Sequence, residues 1–148
     1  GDPGWGKTTS TKIVSSLLSK LPYDLFDATE IRGNPHAYEE KVVGRFDYHK
    51  LQTQGEKVLW KATLKLPALI VDEANWLPEE TQAAILAGID TGRWNYGNET
   101  CFSGKKPTFL AINRRSEDQN GFLPALEDRM DICTVNEPLS TIDMLYTK

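Results

Sequence analysis

The chain opens on Gly1-Asp2-Pro3-Gly4-Trp5-Gly6-Lys7-Thr8, which has the spacing G-x-x-x-x-G-K-[ST]. In that pattern backbone N–H groups wrap a di- or triphosphate, the lysine reaches the β/γ-phosphates and the hydroxyl holds Mg²⁺. Residues 2–9 (Asp2, Pro3, Gly4, Trp5, Gly6, Lys7, Thr8 and Thr9) are therefore the expected nucleotide contacts, with Thr8 also a metal ligand. Further along, Ala68-Leu69-Ile70-Val71-Asp72-Glu73 is an apolar strand ending in two carboxylates. Asp72 is placed to join the Mg²⁺ shell. Glu73 can polarise a water for attack on a γ-phosphate. Asn113 follows the next apolar run, Phe109-Leu110-Ala111-Ile112; taken alone it reads as a turn former beginning a loop, and in this company it can hydrogen-bond that water or the phosphate. Arg129, within Leu126-Glu127-Asp128-Arg129-Met130-Asp131, reads on its own as a surface ion-pair partner among acidic residues, with neutralising charge in a neighbouring subunit's transition state as the alternative.

These groups need elements to position them. Ile13, Val14, Leu17, Leu18 and Leu21 form one apolar face at helical period, so residues 7–20 read as a helix that Pro22 ends. Tyr23-Asp24-Leu25-Phe26-Asp27-Ala28 reads as a short strand. Gly33-Asn34-Pro35 is a turn, with Pro35 opening a helix to about Val43. Residues 44–59 look like a hairpin excursion. The run from Leu66 to Val71 suits a strand buried on both faces of a parallel sheet. Pro78, Glu79 and Glu80 open a helix to about Ile89, with acids where the helix dipole favours them. Arg93-Trp94-Asn95-Tyr96 and Thr100-Cys101-Phe102 flank Gly97-Asn98, a second hairpin. Thr108-Phe109-Leu110-Ala111-Ile112 is a core strand, residues 124–127 a short helix, and Asp131-Ile132-Cys133-Thr134-Val135 a last strand. Strands alternating with helices imply α/β architecture with a mostly parallel sheet.

At 148 residues the chain is one domain's worth, and 39% apolar with 26% charged residues is the balance of a globular protein. A net charge of −4 argues against coating nucleic acid through bulk charge. No run of about 18 apolar residues suggests a membrane span. Cys101 and Cys133, with His36 and His49, lack metal-ligand spacing and read as two reduced thiols and two ordinary histidines. A P-loop sits between a strand and a helix, yet nothing precedes Gly1, so the expectation is a piece of a longer protein.

Taken in order, the four elements resemble the AAA+ ATPases, and within them the MoxR-like branch. Gly1 to Thr8 looks like Walker A, and Leu69-Ile70-Val71-Asp72-Glu73-Ala74-Asn75 looks like Walker B with its following Asn. Asn113 matches sensor 1, and Leu126-Glu127-Asp128-Arg129-Met130 resembles the arginine-finger segment, with Met130 where the family has Phe. The 42–60 stretch resembles the helix-2 insert and 93–106 the hairpin before sensor 1, features shared with minichromosome maintenance helicases.

The resemblance implies a three-layer P-loop NTPase sandwich lacking its first strand and C-terminal helical lid. Residues 1–137 would be the core and 138–148 the start of the lid. It implies an Mg²⁺-dependent ATPase, with Glu73, Asn113 and Arg129 catalytic, Asp72 and Thr8 on the metal, and the isolated piece inactive. It also implies a homo-oligomeric, hexameric ring in the cytoplasm that remodels a client protein. Trp60, Trp94 and Tyr96 are candidate client contacts on that basis; as hairpin aromatics they are expected to pack locally. Two alternatives stand beside it. One is a nucleic-acid motor using Lys105, Lys106, Arg114 and Arg115; the other is a nucleotide-dependent scaffold without useful turnover.

Overall fold

A computed structural model describes residues 6–50, 57–113 and 121–134. The expectations for Asp2, Pro3, Gly4, Trp5, Arg114, Arg115 and the 138–148 tail lie outside those residues.

The apolar run before Asp72-Glu73 forms β4 (Leu69–Asp72), the central strand of a parallel sheet with β1 (Ile31–Arg32) on one side and β7 (Thr108–Leu110) on the other. The strand starts later than the run itself, because Pro67 has no N–H to give a ladder. Alternation along β4 sends Leu69 and Val71 to one face and Ile70 to the other. Leu69 and Val71 join the main core with Val42, Val43, Leu77, Ile85, Trp94 and Leu126. Ile70 joins a smaller cluster with Phe26 and Ala68, against which Leu21, Leu66 and Phe109 pack. Apolar burial on both faces is what a parallel sheet between helical layers requires.

On the smaller-cluster side lie α1 (Lys7–Ser19) and α2 (Tyr23–Thr29). Here one expectation is corrected. Residues 23–29 are a helix, not a strand: Pro22 supplies the N-cap residue, Asp24 sits in the first turn, and Phe26 is the side chain buried. The α1 periodicity is helical, but its apolar face is outward: Leu17 and Leu18 are 74% and 75% exposed, while Lys12 and Ser15 are buried. The inward lysine is held by Asp27 and Glu30.

On the main-core side, α3 (Glu39–Val42) is shorter than Pro35 suggested. Asn34 Oδ1 accepts the His36 N–H at 3.0 Å and Asn34 O accepts the Ala37 N–H at 3.0 Å, closing a turn before any helix can start. The long helix α4 (Glu79–Thr91) begins after Pro78 and stops at Gly92, whose φ of +67° is the left-handed close that glycine adopts freely. α5 (Pro124–Glu127) packs on α4.

Both hairpins are present. β2 (Gly44–Phe46) pairs antiparallel with β3 (Val58–Trp60), and β5 (Arg93–Tyr96) with β6 (Glu99–Phe102) across Gly97-Asn98. They touch one another through the Phe46 and Tyr96 rings, 5.1 Å apart, and through the Val58 N–H, which donates to Glu99 Oε2 at 3.4 Å. The described part of the last expected strand, residues 131–134, forms none, and Ile132 is 81% exposed. Those residues pair with no described strand, so their apolar content has nothing to bury against. Among the described residues no helix is long and apolar enough to cross a membrane.

Candidate active site

Gly6 precedes α1 in a left-handed conformation, φ +72°, and the helix begins without a side-chain cap. A helix N-terminus presents backbone N–H groups and the positive end of its dipole, which favour an anion. Lys7 is the first residue of that helix. The sheet supplies the facing groups. β4 ends at Asp72, in register with Arg32 of β1. The chain beyond β7 stays beside it: the Ala111 N–H donates to Val71 O at 2.8 Å, and the Ala74 N–H donates to Ala111 O at 3.0 Å. Glu73 and Asn113 therefore emerge side by side at the C-terminal ends of parallel strands, where open α/β sheets bind ligands.

Three of the expected residues form one hydrogen-bonded chain. Lys7 Nζ donates to Asn113 Oδ1 at 2.8 Å, and Asn113 Nδ2 donates to Glu73 Oε1 at 3.3 Å. The two neighbours dictate which way the amide points: an ammonium must meet oxygen and a carboxylate must meet N–H. Asn75, 3% exposed, accepts the Asn113 backbone N–H on its Oδ1 at 3.4 Å. Glu73 itself is left-handed (φ 52°, ψ 41°), and its N–H donates to Asp72 Oδ1 at 3.0 Å. That turn swings the Glu73 side chain off the strand direction toward Asn113.

Thr8 lies half-buried in the first turn of α1, and Thr9 is exposed. A threonine hydroxyl and one strand-end carboxylate fit Mg²⁺, which takes one or two protein ligands and completes its shell with phosphate and water. Among the described residues no three His, Cys, Asp or Glu side chains gather where they could hold a metal ion. Cys101 and Cys133 are both free.

Arg129 is not brought to this cluster. Its guanidinium pairs with Asp90 near the end of α4 at 3.5 Å, with 57% of the side chain exposed. Of the hairpin aromatics, Trp94 is 2% exposed and its Nε1–H donates to Ser103 Oγ at 2.9 Å, while Trp60 and Tyr96 pack against the main core. Trp94 is thus a core residue, not a surface contact. Lys106 also turns inward, donating to the carbonyls of Thr63, Leu64 and Leu66 at 3.3, 2.6 and 2.9 Å.

Sequence reasoning read Gly33 only as a turn former. In the structure it lies directly under the Glu73 carbonyl, and no spacing in the chain signals that contact. The Lys12–Asp27–Glu30–Arg32 ion network was equally unmarked, since its members look like ordinary surface charges.

No protein-family description matches the chain, and no curated protein does. Among solved structures it is similar to a crystal structure, at 2.00 Å resolution, of a protein from Cytophaga hutchinsonii ATCC 33406 provisionally named an ATPase. The TM-score is 0.63 at 18% identity, and the match covers 83% of this chain and 39% of that one. The chain spans about two fifths of that protein's length. At such low identity the likeness concerns architecture alone, an α/β fold built on a parallel sheet.

Proposed function

We propose that this chain is the ATP-binding and ATP-hydrolysing core of a ring-forming AAA+ ATPase of the MoxR-like branch, one that remodels a partner protein. The observation that carries the reading is the chain Lys7–Asn113–Glu73, a cation, an amide and a carboxylate joined between a helix N-terminus and the ends of two parallel strands. The provisional ATPase naming of the structural neighbour supports it.

In this reading the triphosphate lies against the start of α1, with Lys7 offsetting its charge. Thr8 and Asp72 would hold Mg²⁺, which would supply Lewis-acid stabilisation of phosphate charge. Glu73 takes a proton from the water whose oxygen attacks the γ-phosphorus, and ADP leaves as the bond to its β-phosphate oxygen breaks. Asn113 holds the Glu73 carboxylate in place and reaches the same water. The exposed Arg129 acts on an adjacent subunit's nucleotide, which requires an oligomer, a hexameric ring by resemblance. A nucleic-acid motor is less well supported, because Lys106 is occupied by three backbone carbonyls and the net charge is negative.

The test is Glu73→Gln in the full-length protein. It should bind ATP as the wild type does and hydrolyse it about 10²–10⁴-fold more slowly, the range for loss of a general base. Wild-type turnover in the variant removes Glu73 from the role and the reading with it.

A further inference from the structure

We propose that Gly33 and Asn75 are positioning residues for the Glu73 carboxylate. The inference rests on the reading above, in which Glu73 acts on the attacking water. Glu73 is one of two non-glycine residues with positive φ among the described ones, the other being Lys20. A glutamate takes that conformation against its own sterics and keeps it only where its surroundings impose it.

The imposing contacts come from two sides. From β1, the Gly33 N–H donates to Asp72 O at 2.8 Å, which presses the end of that strand against the turn. A Cβ on Gly33 would sit 1.9 Å from the Glu73 carbonyl oxygen, 2.7 Å from its carbon and 3.2 Å from Asp72 O. All three are backbone atoms, so no side-chain rotation relieves the clash. Gly33 is not among the positive-φ glycines, so its value here is the missing side chain and not its conformational freedom. From the β7 side, the Ala74 N–H is held by Ala111 O and the Asn113 N–H by Asn75 Oδ1. Gly33 thus sets where the turn lies, and Asn75 sets where Asn113 meets the carboxylate that the turn presents.

The experiment measures steady-state ATP hydrolysis by the full-length protein carrying Gly33→Ala, Asn75→Ala, Glu73→Gln and each of the two in combination with Glu73→Gln. Each single positioning variant should lower kcat by about 10–100-fold, the effect of a displacement near 1 Å, with KM for ATP unchanged. Added to Glu73→Gln, Gly33→Ala should not slow the residual rate further, because the carboxylate it positions is already gone. Asn75→Ala should slow it by less than it slows the wild type, because only the Asn113 contact with the water is left to lose. Wild-type kcat in the folded single variants overturns the proposal, as does a loss that multiplies in full with that of Glu73→Gln. A Glu73→Gln enzyme at wild-type rate sinks the underlying reading instead. If Gly33→Ala yields no folded protein, Asn75→Ala decides by the same two criteria.

Discussion

Lys12 and Lys106 both turn inward, and their surroundings give them opposite responses to pH. Burial works against the charge of Lys12, but hydrogen bonds and attraction from Asp27 and Glu30 outweigh it, so its pKa is raised. Lys106 donates to neutral carbonyls, and burial lowers its pKa against a smaller opposing attraction from Cys101. A raised lysine contributes stability that is complete below the unfolded-chain pKa and is lost as pH climbs through the folded one. A lowered lysine gives its proton up sooner in the folded chain, so stability rises with pH between the folded and unfolded values. The destabilisation by Lys12→Met should therefore shrink from pH 8 to pH 11, and that by Lys106→Met should grow. At neutral pH Lys106→Met should cost about 1–3 kcal/mol, since three part-buried carbonyls lose the ammonium that donates to them. The hydrogen bond from Lys12, reinforced by its charge, also holds Asp27 low, so Lys12→Met should flatten the acid limb as pH falls through the carboxylate range. Urea denaturation across pH reads all of this, and parallel profiles for the two variants would refute the assignment. Neither lysine was legible in the sequence. A lysine at a helical position or before a strand reads as solvated, and only the folded chain shows what its ammonium meets.

Among the elements, the legible ones were those whose local signals agree with their tertiary setting. β4 carries an uninterrupted apolar run because helices cover both its faces, and α4 carries Pro78, Glu79 and Glu80 where a helix start wants them. Tyr23–Thr29 misled because its aromatic residues favour a strand weakly, while Pro22 and Asp24 favour a helix start and Phe26 needs only one buried position. Residues 131–134 misled because β-branched and apolar content makes a strand only when a partner edge is available. For the candidate site, the sequence yields the side chains of Lys7, Glu73 and Asn113 but not the turn geometry that joins them. Gly88 illustrates the same limit within α4. A glycine inside a helix costs about 1 kcal/mol against alanine, so Gly88→Ala would be expected to stabilise. Here a Cβ would lie 2.6 Å from three atoms of the Trp94 ring, which is 2% exposed and tied to Ser103. Gly88→Ala should instead destabilise by about 1–3 kcal/mol through overpacking. It should also shift tryptophan fluorescence as the β5–β6 hairpin lifts from α4. A gain in thermal stability would mean the hairpin moves aside at no cost.

Over the whole molecule, the apolar residues divide into those the sheet buries and a stripe it does not. Leu69, Leu77, Ile85 and Leu126 are almost fully enclosed, whereas Ile13, Val14, Leu17 and Leu18 of α1 are 46%, 43%, 74% and 75% exposed. The stripe continues into a groove that Leu18 lines together with Pro67, Ala68, Pro107 and Phe109. Scattered apolar side chains on a surface need no cause, but a contiguous patch promotes association. The 148-residue chain in isolation should therefore bind a hydrophobic dye and self-associate as concentration rises. Leu17 and Leu18 bury little, so replacing both by lysine should change folding stability by no more than about 0.5 kcal/mol, as at ordinary surface positions. The same double variant should reduce dye binding and move the elution of the chain toward the monomer. Phe102 and Ile132, 71% and 81% exposed, serve as controls: they belong to other elements, and polar replacements there should leave association largely intact. If Leu17→Lys/Leu18→Lys unfolds the chain, α1 packs through that face after all. If association persists unchanged while the Phe102 variant abolishes it, the hairpin and not α1 is the adhesive surface.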